Sequence, residues 1–76
     1  MTSLVSELER RFYNGGEIHW DKSRRYFFVK KDGRISCKVS RGHLRDIAVR
    51  FLGRSFNQID DPITDKRGRV IQLNSR

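Results

Sequence analysis

The chain has 76 residues, with 17 Lys plus Arg against 9 Asp plus Glu, a formal net charge of +8, one Cys and one Pro. A chain of that length makes one domain, burying only about 60% of the surface its unfolded form exposes, and leaves little room for a deep active-site cleft. Hydrophobic residues at 36% and charged residues at 34% exclude a disordered tail, and no run approaches the 18 apolar residues of a membrane span.

Residues 1–76 are expected to fold as a single domain, fraying only at 1–2 and 74–76. Leu4, Val5, Leu8 and Phe12 recur at helical spacing, Thr2 or Ser3 can cap the start, and Asn14-Gly15-Gly16 supplies a stop. Glu7 and Glu9 precede Arg10 and Arg11, the order that suits the helix macrodipole.

From Glu17 to Ser40 the pattern turns to aromatic and β-branched residues, predicting strands at roughly 17–21, 24–31 and 34–40. Asp32-Gly33 fits a two-residue type I′ turn, which places Lys31 opposite Arg34 and Lys30 opposite Ile35. Continued without interruption, that register sets Phe28 against Cys37 and Tyr26 against Val39. One face then holds Tyr26, Phe28, Ile35, Cys37 and Val39 as core, and the other holds Arg25, Phe27, Val29, Lys31, Arg34, Ser36, Lys38 and Ser40 as a basic ribbon. The loop "WDKSRR" leaves the first strand open. Three loop residues put Ile18 and Trp20 in the core, two or four put them beside Phe27, and the size of the indole favours the core.

Leu44, Ile47, Ala48, Phe51 and Leu52 form the stripe of a second helix, capped by Ser40 and stopped by Gly53, with Arg41, Arg45, Arg50 and Arg54 on its back. Beyond it Asp60-Asp61-Pro62 predicts a turn, and Ile63-Thr64 with residues 69–73 predicts a hairpin around "DKRG". The expected fold class is therefore α+β: a three-stranded antiparallel sheet flanked by two helices, with a short C-terminal hairpin.

Cationic residues alternating along a two-stranded ribbon can reach phosphates and base edges, and an exposed ring can stack on a base. Arg25, Phe27, Lys31, Arg34 and Lys38, with Lys22 near the loop, are the candidate nucleic-acid contacts, joined by Arg41 and Arg45 of the second helix. Five phosphate contacts would give a slope of log affinity on log salt near about −4.5 on duplex DNA. Lys66, Arg67 and Arg69 could form a basic hairpin tip, or simply a charged turn.

No catalytic signature is visible: Asp60, Asp61 and Asp65 near Lys66 suit Asx-turns better than a nuclease, and no nucleophile has a base beside it. Cys37, His19 and His43 lack metal-ligand spacing, so no metal and no cofactor are expected. A lone cysteine and an acidic start without a signal-peptide core point to a reducing, cytoplasmic setting.

The layout "YFFVKKDGRISCKVS" followed by "LRDIAVRFL" resembles the arm-type DNA-binding domain of phage integrases, in which a three-stranded sheet enters the major groove. It is similar also to the HicA-type double-stranded-RNA-binding-like fold, although "SRRYFF" has Arg24 and Arg25 where that family's catalytic histidine would stand. "LRDIAVRFLGRSFNQI" with "ITDKRGRVIQL" reads as a competing helix-turn-helix and wing, one residue longer than the common spacing. The expectation is a non-enzymatic accessory or transcription-regulating protein, of the kind phages and mobile elements carry, that binds DNA in preference to RNA. A chain docking on an acidic protein partner is the alternative.

Overall fold

A computed structural model describes residues 3–74. The elements are α1 (Leu4–Phe12), β1 (Glu17–Asp21), β2 (Tyr26–Lys31), β3 (Arg34–Val39), α2 (Arg41–Phe51), β4 (Ile63–Thr64) and β5 (Val70–Gln72). Strands β1-β2-β3 form one antiparallel sheet in that order and β4-β5 a two-stranded hairpin, the α+β architecture the sequence predicts. Fraying expected at residues 1–2 and 75–76 lies outside the described residues. Asn74, also expected to fray, is held: its carbonyl accepts from the Asp60 amide at 2.8 Å and its side chain donates to the Asp61 carbonyl at 3.1 Å.

Both helices start at serine caps, Ser3 accepting from the Ser6 amide at 3.1 Å and Ser40 from that of His43 at 3.0 Å. Leu44, Ile47 and Ala48 of α2 are buried, but Phe51 is 59% exposed. Phe51 alone leaves the expected stripe, since Leu52 packs against the core, and the Phe51 ring meets that of Phe12 at 5.6 Å. Among the described residues no helix is long and apolar enough to cross a membrane.

The β2–β3 turn is as expected, with positive φ at both Asp32 (53°) and Gly33 (76°), and Lys31↔Arg34 and Lys30↔Ile35 pair as predicted. The next pair is Val29↔Cys37, so Ser36 is an extra residue on β3, a β-bulge that the uninterrupted register did not include. One residue of shift carries Cys37 and Val39 to the other face of β2. The interior joins Ile18, Trp20, Phe27, Val29 and Val39 from the sheet with Val5 and Leu8 of α1, Leu44 and Ile47 of α2, and Ile59 and Val70 from the segment after α2. Phe27 is 0% exposed, and Ile35, expected inside, is 60% exposed. The loop from Asp21 to Tyr26 has four residues, Trp20 lies opposite Phe27, and their shared face is the core. Trp20 and Ile18 are interior, as the size argument favoured, in company with Phe27 and not against it.

The outer edge of β1 is closed by side chain and hairpin together. The Ile18 amide donates to Glu9 Oε2 at 2.9 Å and the Trp20 amide to the Gly68 carbonyl at 2.9 Å. Glu9, noted from sequence only for its place along the helix dipole, is buried on α1 and its Oε1 accepts from Arg69 Nη2 at 3.3 Å. Residues 60–62, expected to turn, form no turn. The reversal falls at 65–68, where Asp65 Oδ1 accepts the amides of Arg67 at 2.9 Å and Arg69 at 3.0 Å.

Two measurements check this packing. Phe27→Ala is expected to cost about 3–5 kcal/mol, a large share of the roughly 5–10 kcal/mol available to a small domain. Phe28→Ala should cost only about 1 kcal/mol, and urea melts that reversed the order would restore the uninterrupted register. The Tyr13 hydroxyl is buried with no hydrogen-bond partner among the described residues, and burial, with Cys37 adding to it, pushes its pKa up to about 12. A raised folded-state pKa means stability that is whole below roughly pH 10 and lost between there and about 12. Tyr13→Phe should flatten that alkaline decline and leave neutral-pH stability equal or higher, by about 1 kcal/mol.

Candidate nucleic-acid interface

With the helices on the Phe27 side, the other side of the sheet carries Glu17, His19 and Asp21 from β1, Tyr26, Phe28 and Lys30 from β2, and Ile35 and Lys38 from β3. Of these only His19 is buried. Its ring stacks on Phe28 at 5.3 Å and 20°, and the Phe28 ring stands 6.4 Å from that of Tyr26. Lys38 Nζ sits 5.5 Å above Tyr26, a cation held against a ring face. Three rings in file, His19 buried and Phe28 and Tyr26 half-exposed, thus lie on one sheet face with Lys30 and Lys38 beside them and Ile35 exposed opposite Lys30.

The acids of this face are committed elsewhere. Glu17 Oε1 is 3.3 Å from His19 Nε2 and its Oε2 is 3.4 Å from Arg69 Nη1. The hydrogen bond to His19, helped by Arg69 and Arg67, holds its carboxyl below the usual glutamate range. Asp21 Oδ1 accepts from the amides of Arg24 and Ser23, both at 3.0 Å, and from the Ser23 hydroxyl at 2.8 Å, organising the loop between β1 and β2. The Arg24 amide, then Ser23, hold its pKa low.

The five candidate contacts expected to share one basic ribbon are not on one plane. Phe27 is in the core and offers no ring for stacking. Lys31 has the parity of Phe27 and Val29, pointing to the helix side, where Nζ donates to the Asn14 carbonyl at 2.8 Å. Lys38 stands on the open side, so the two lysines are splayed apart by the pleat and the bulge. Arg34 is exposed at the hairpin end. Arg25 leaves the sheet in the loop, with φ 58°, and its guanidinium is bidentate to Asp61 at 2.9 and 3.2 Å. Arg41 approaches the same carboxylate at 3.8 Å, and Arg45 bonds Asp46 at 3.0 Å and the Phe56 carbonyl at 3.3 Å.

Tyr26, Phe28 and Lys30 are the residues the sequence reading missed, having assigned the two rings to the core. The available signal was "YFFVKK" itself, which places an aromatic on each parity: one must face outward whichever side is buried. Among the described residues no three His, Cys, Asp or Glu side chains are grouped to hold a metal. No protein-family model matches the chain, and no curated protein or solved structure matches it significantly.

The Asp21 loop has a pH signature. A carboxyl with a lowered folded-state pKa contributes stability fully present above its ordinary value near about 4 and lost as pH falls through the lower one. Side-chain NMR titration of Asp21 should find a midpoint below that of an ordinary aspartate, and Asp21→Ala should remove this part of the acid decline in stability.

Proposed function

We propose that this chain binds single-stranded nucleic acid on the open face of its sheet. The observation that carries the reading is the pair of half-exposed rings, Tyr26 and Phe28, set 6.4 Å apart between Lys30 and Lys38 on a face no helix covers. Bases stack on such rings for about 1–3 kcal/mol each, whatever their sequence, while neighbouring cations track the phosphates. A net charge of +8 supplies the long-range attraction. Duplex binding has less support, because the ribbon that would enter a groove is divided between two sides of the sheet. We infer a cytoplasmic, non-catalytic accessory or regulatory role, transcription regulation included, of the kind phages and mobile elements encode. DNA is the first candidate strand and RNA the second. One observation favours docking on an acidic protein instead: Ile35, 60% exposed between lysines, is an apolar anchor in a cationic rim.

Fluorescence anisotropy with single-stranded DNA, single-stranded RNA and duplex of matched length tests this. Tyr26→Ala and Phe28→Ala should each weaken single-strand binding by roughly 5- to 100-fold while lowering the melting temperature by no more than about 4–8 °C, so that both variants stay folded in the assay. Lys38→Glu should weaken it too, and Lys31→Glu should matter less. With Lys30, Arg34 and Lys38 as contacts, the slope of log affinity on log salt should be near about −2 on a single strand. Equal affinity for duplex with no effect of the ring variants would overturn the reading, and no binding to any oligonucleotide at low salt would turn it to the protein partner.

A further inference from the structure

Three arginines meet at a cleft of about 390 Å³, where Arg25, Arg41 and Arg45 share the wall with Ser40, Asn57 and Gln58. The fork of Arg25 is already filled by a carboxylate of the chain itself, Nη2 donating to Asp61 Oδ1 at 2.9 Å and Nη1 to Oδ2 at 3.2 Å. Arg41 Nη1 stands further off, 3.8 Å from Oδ1. Asp61 is therefore held as a two-oxygen anion would be, with a second guanidinium close by and only partly engaged. The hold is light, since both side chains of the Arg25–Asp61 pair are 53% exposed and pairs so exposed contribute little. Arg25 reaches this position through a backbone conformation, φ 58°, that side chains seldom adopt, stabilised by its amide donating to the Asp21 carbonyl at 2.7 Å.

We propose that this cleft binds a phosphate group, which displaces Asp61 and bridges Arg25 and Arg41. Phosphate oxygens match the planar guanidinium fork as a carboxylate does, and a phosphate offers a further oxygen to the second arginine. Arg25 immediately precedes Tyr26 and Ser40 immediately follows Val39, so the cleft lies beside the start of α2 at the end of the sheet where β2 begins and β3 finishes. A strand stacked on Tyr26 and Phe28 carries its phosphates to that end. The identity of the strand rests on the reading of the open face, whereas the anion chemistry of the cleft does not.

Backbone amide and arginine Nε–Hε NMR signals, followed during titration with inorganic phosphate and then with a single-stranded oligonucleotide, separate the two. Inorganic phosphate should move Arg25, Arg41 and Gly42 and leave Phe28 and Lys30 in place. The oligonucleotide should move both sets, and its methylphosphonate analogue, which lacks backbone charge, only the second. Arg41→Ala should weaken phosphate binding about tenfold, and Asp61→Asn should tighten it by up to about fivefold by removing the competitor. Arg25→Gly relieves the positive φ and so keeps the fold, yet should weaken phosphate as Arg41→Ala does. If neither phosphate nor the oligonucleotide moves the arginine signals, the cleft is not an anion site, even where the oligonucleotide moves Tyr26 and Phe28. Arginine shifts with phosphate and none at the rings with oligonucleotide would keep the cleft and discard the stacking face.

Discussion

The burial of one side of β2 governs where every charge in the hairpin goes. Phe27 and Val29 are inside because Ile18 and Trp20 across from them are inside, and the Trp20 and Phe27 rings meet at 4.6 Å in the centre of that layer. Such an aromatic contact adds about 0.5–1.5 kcal/mol to the area it removes from water. Once those rings are interior, the pleat sends Tyr26, Phe28 and Lys30 the opposite way, with no further choice. Strand β3 has to conform, and the extra residue at Ser36 lets Cys37 and Val39 turn inward while the tight turn at Asp32-Gly33 keeps its pairing. The bulge reconciles two registers, one fixed by the turn and one by the core.

The same constraint explains the treatment of the sheet edges. On β1 the amides of Ile18 and Trp20 would face outward unpaired, and a buried Glu9 and the Gly68 carbonyl meet them. Glu9 is tolerable in that place because Arg69 supplies the countercharge, and Arg69 in turn links to Glu17 and through it to His19. Helix α1, strand β1 and the C-terminal hairpin are thus fastened by one run of charge-assisted bonds. On β3 the outer edge carries Arg34 and Lys38 and a bulge, features that discourage pairing with another strand.

How cations are distributed follows from these two arrangements. Lys31 is drawn to the Asn14 carbonyl and Arg25 to Asp61, so the positive charge that the alternation gathers on paper into one ribbon is parcelled among three regions: the open face, the hairpin end and the cleft at the start of α2. The open face has fewer charges than expected and two half-exposed rings, Tyr26 and Phe28, in place of the one ring of Phe27, an arrangement better suited to stacking than to groove reading.

Local signals in the sequence were enough for the elements, a first cap at Thr2 or Ser3 and a second at Ser40, the type I′ turn, the C-terminal hairpin around Gly68 and the α+β order, because each depends on neighbours within a few residues. What the tertiary structure alone decided was which face of β2 is wet. "YFFVKK" is apolar on both parities, so its own pattern is balanced, and the balance is tipped by residues far along the chain: Ile18 and Trp20 through a four-residue loop, Leu44 and Ile47 through α2, and a bulge that no turn residue announces. Glu9 was hidden for the same reason, since nothing within its own helix reveals that an amide of β1 and a guanidinium sixty residues away converge on its carboxylate.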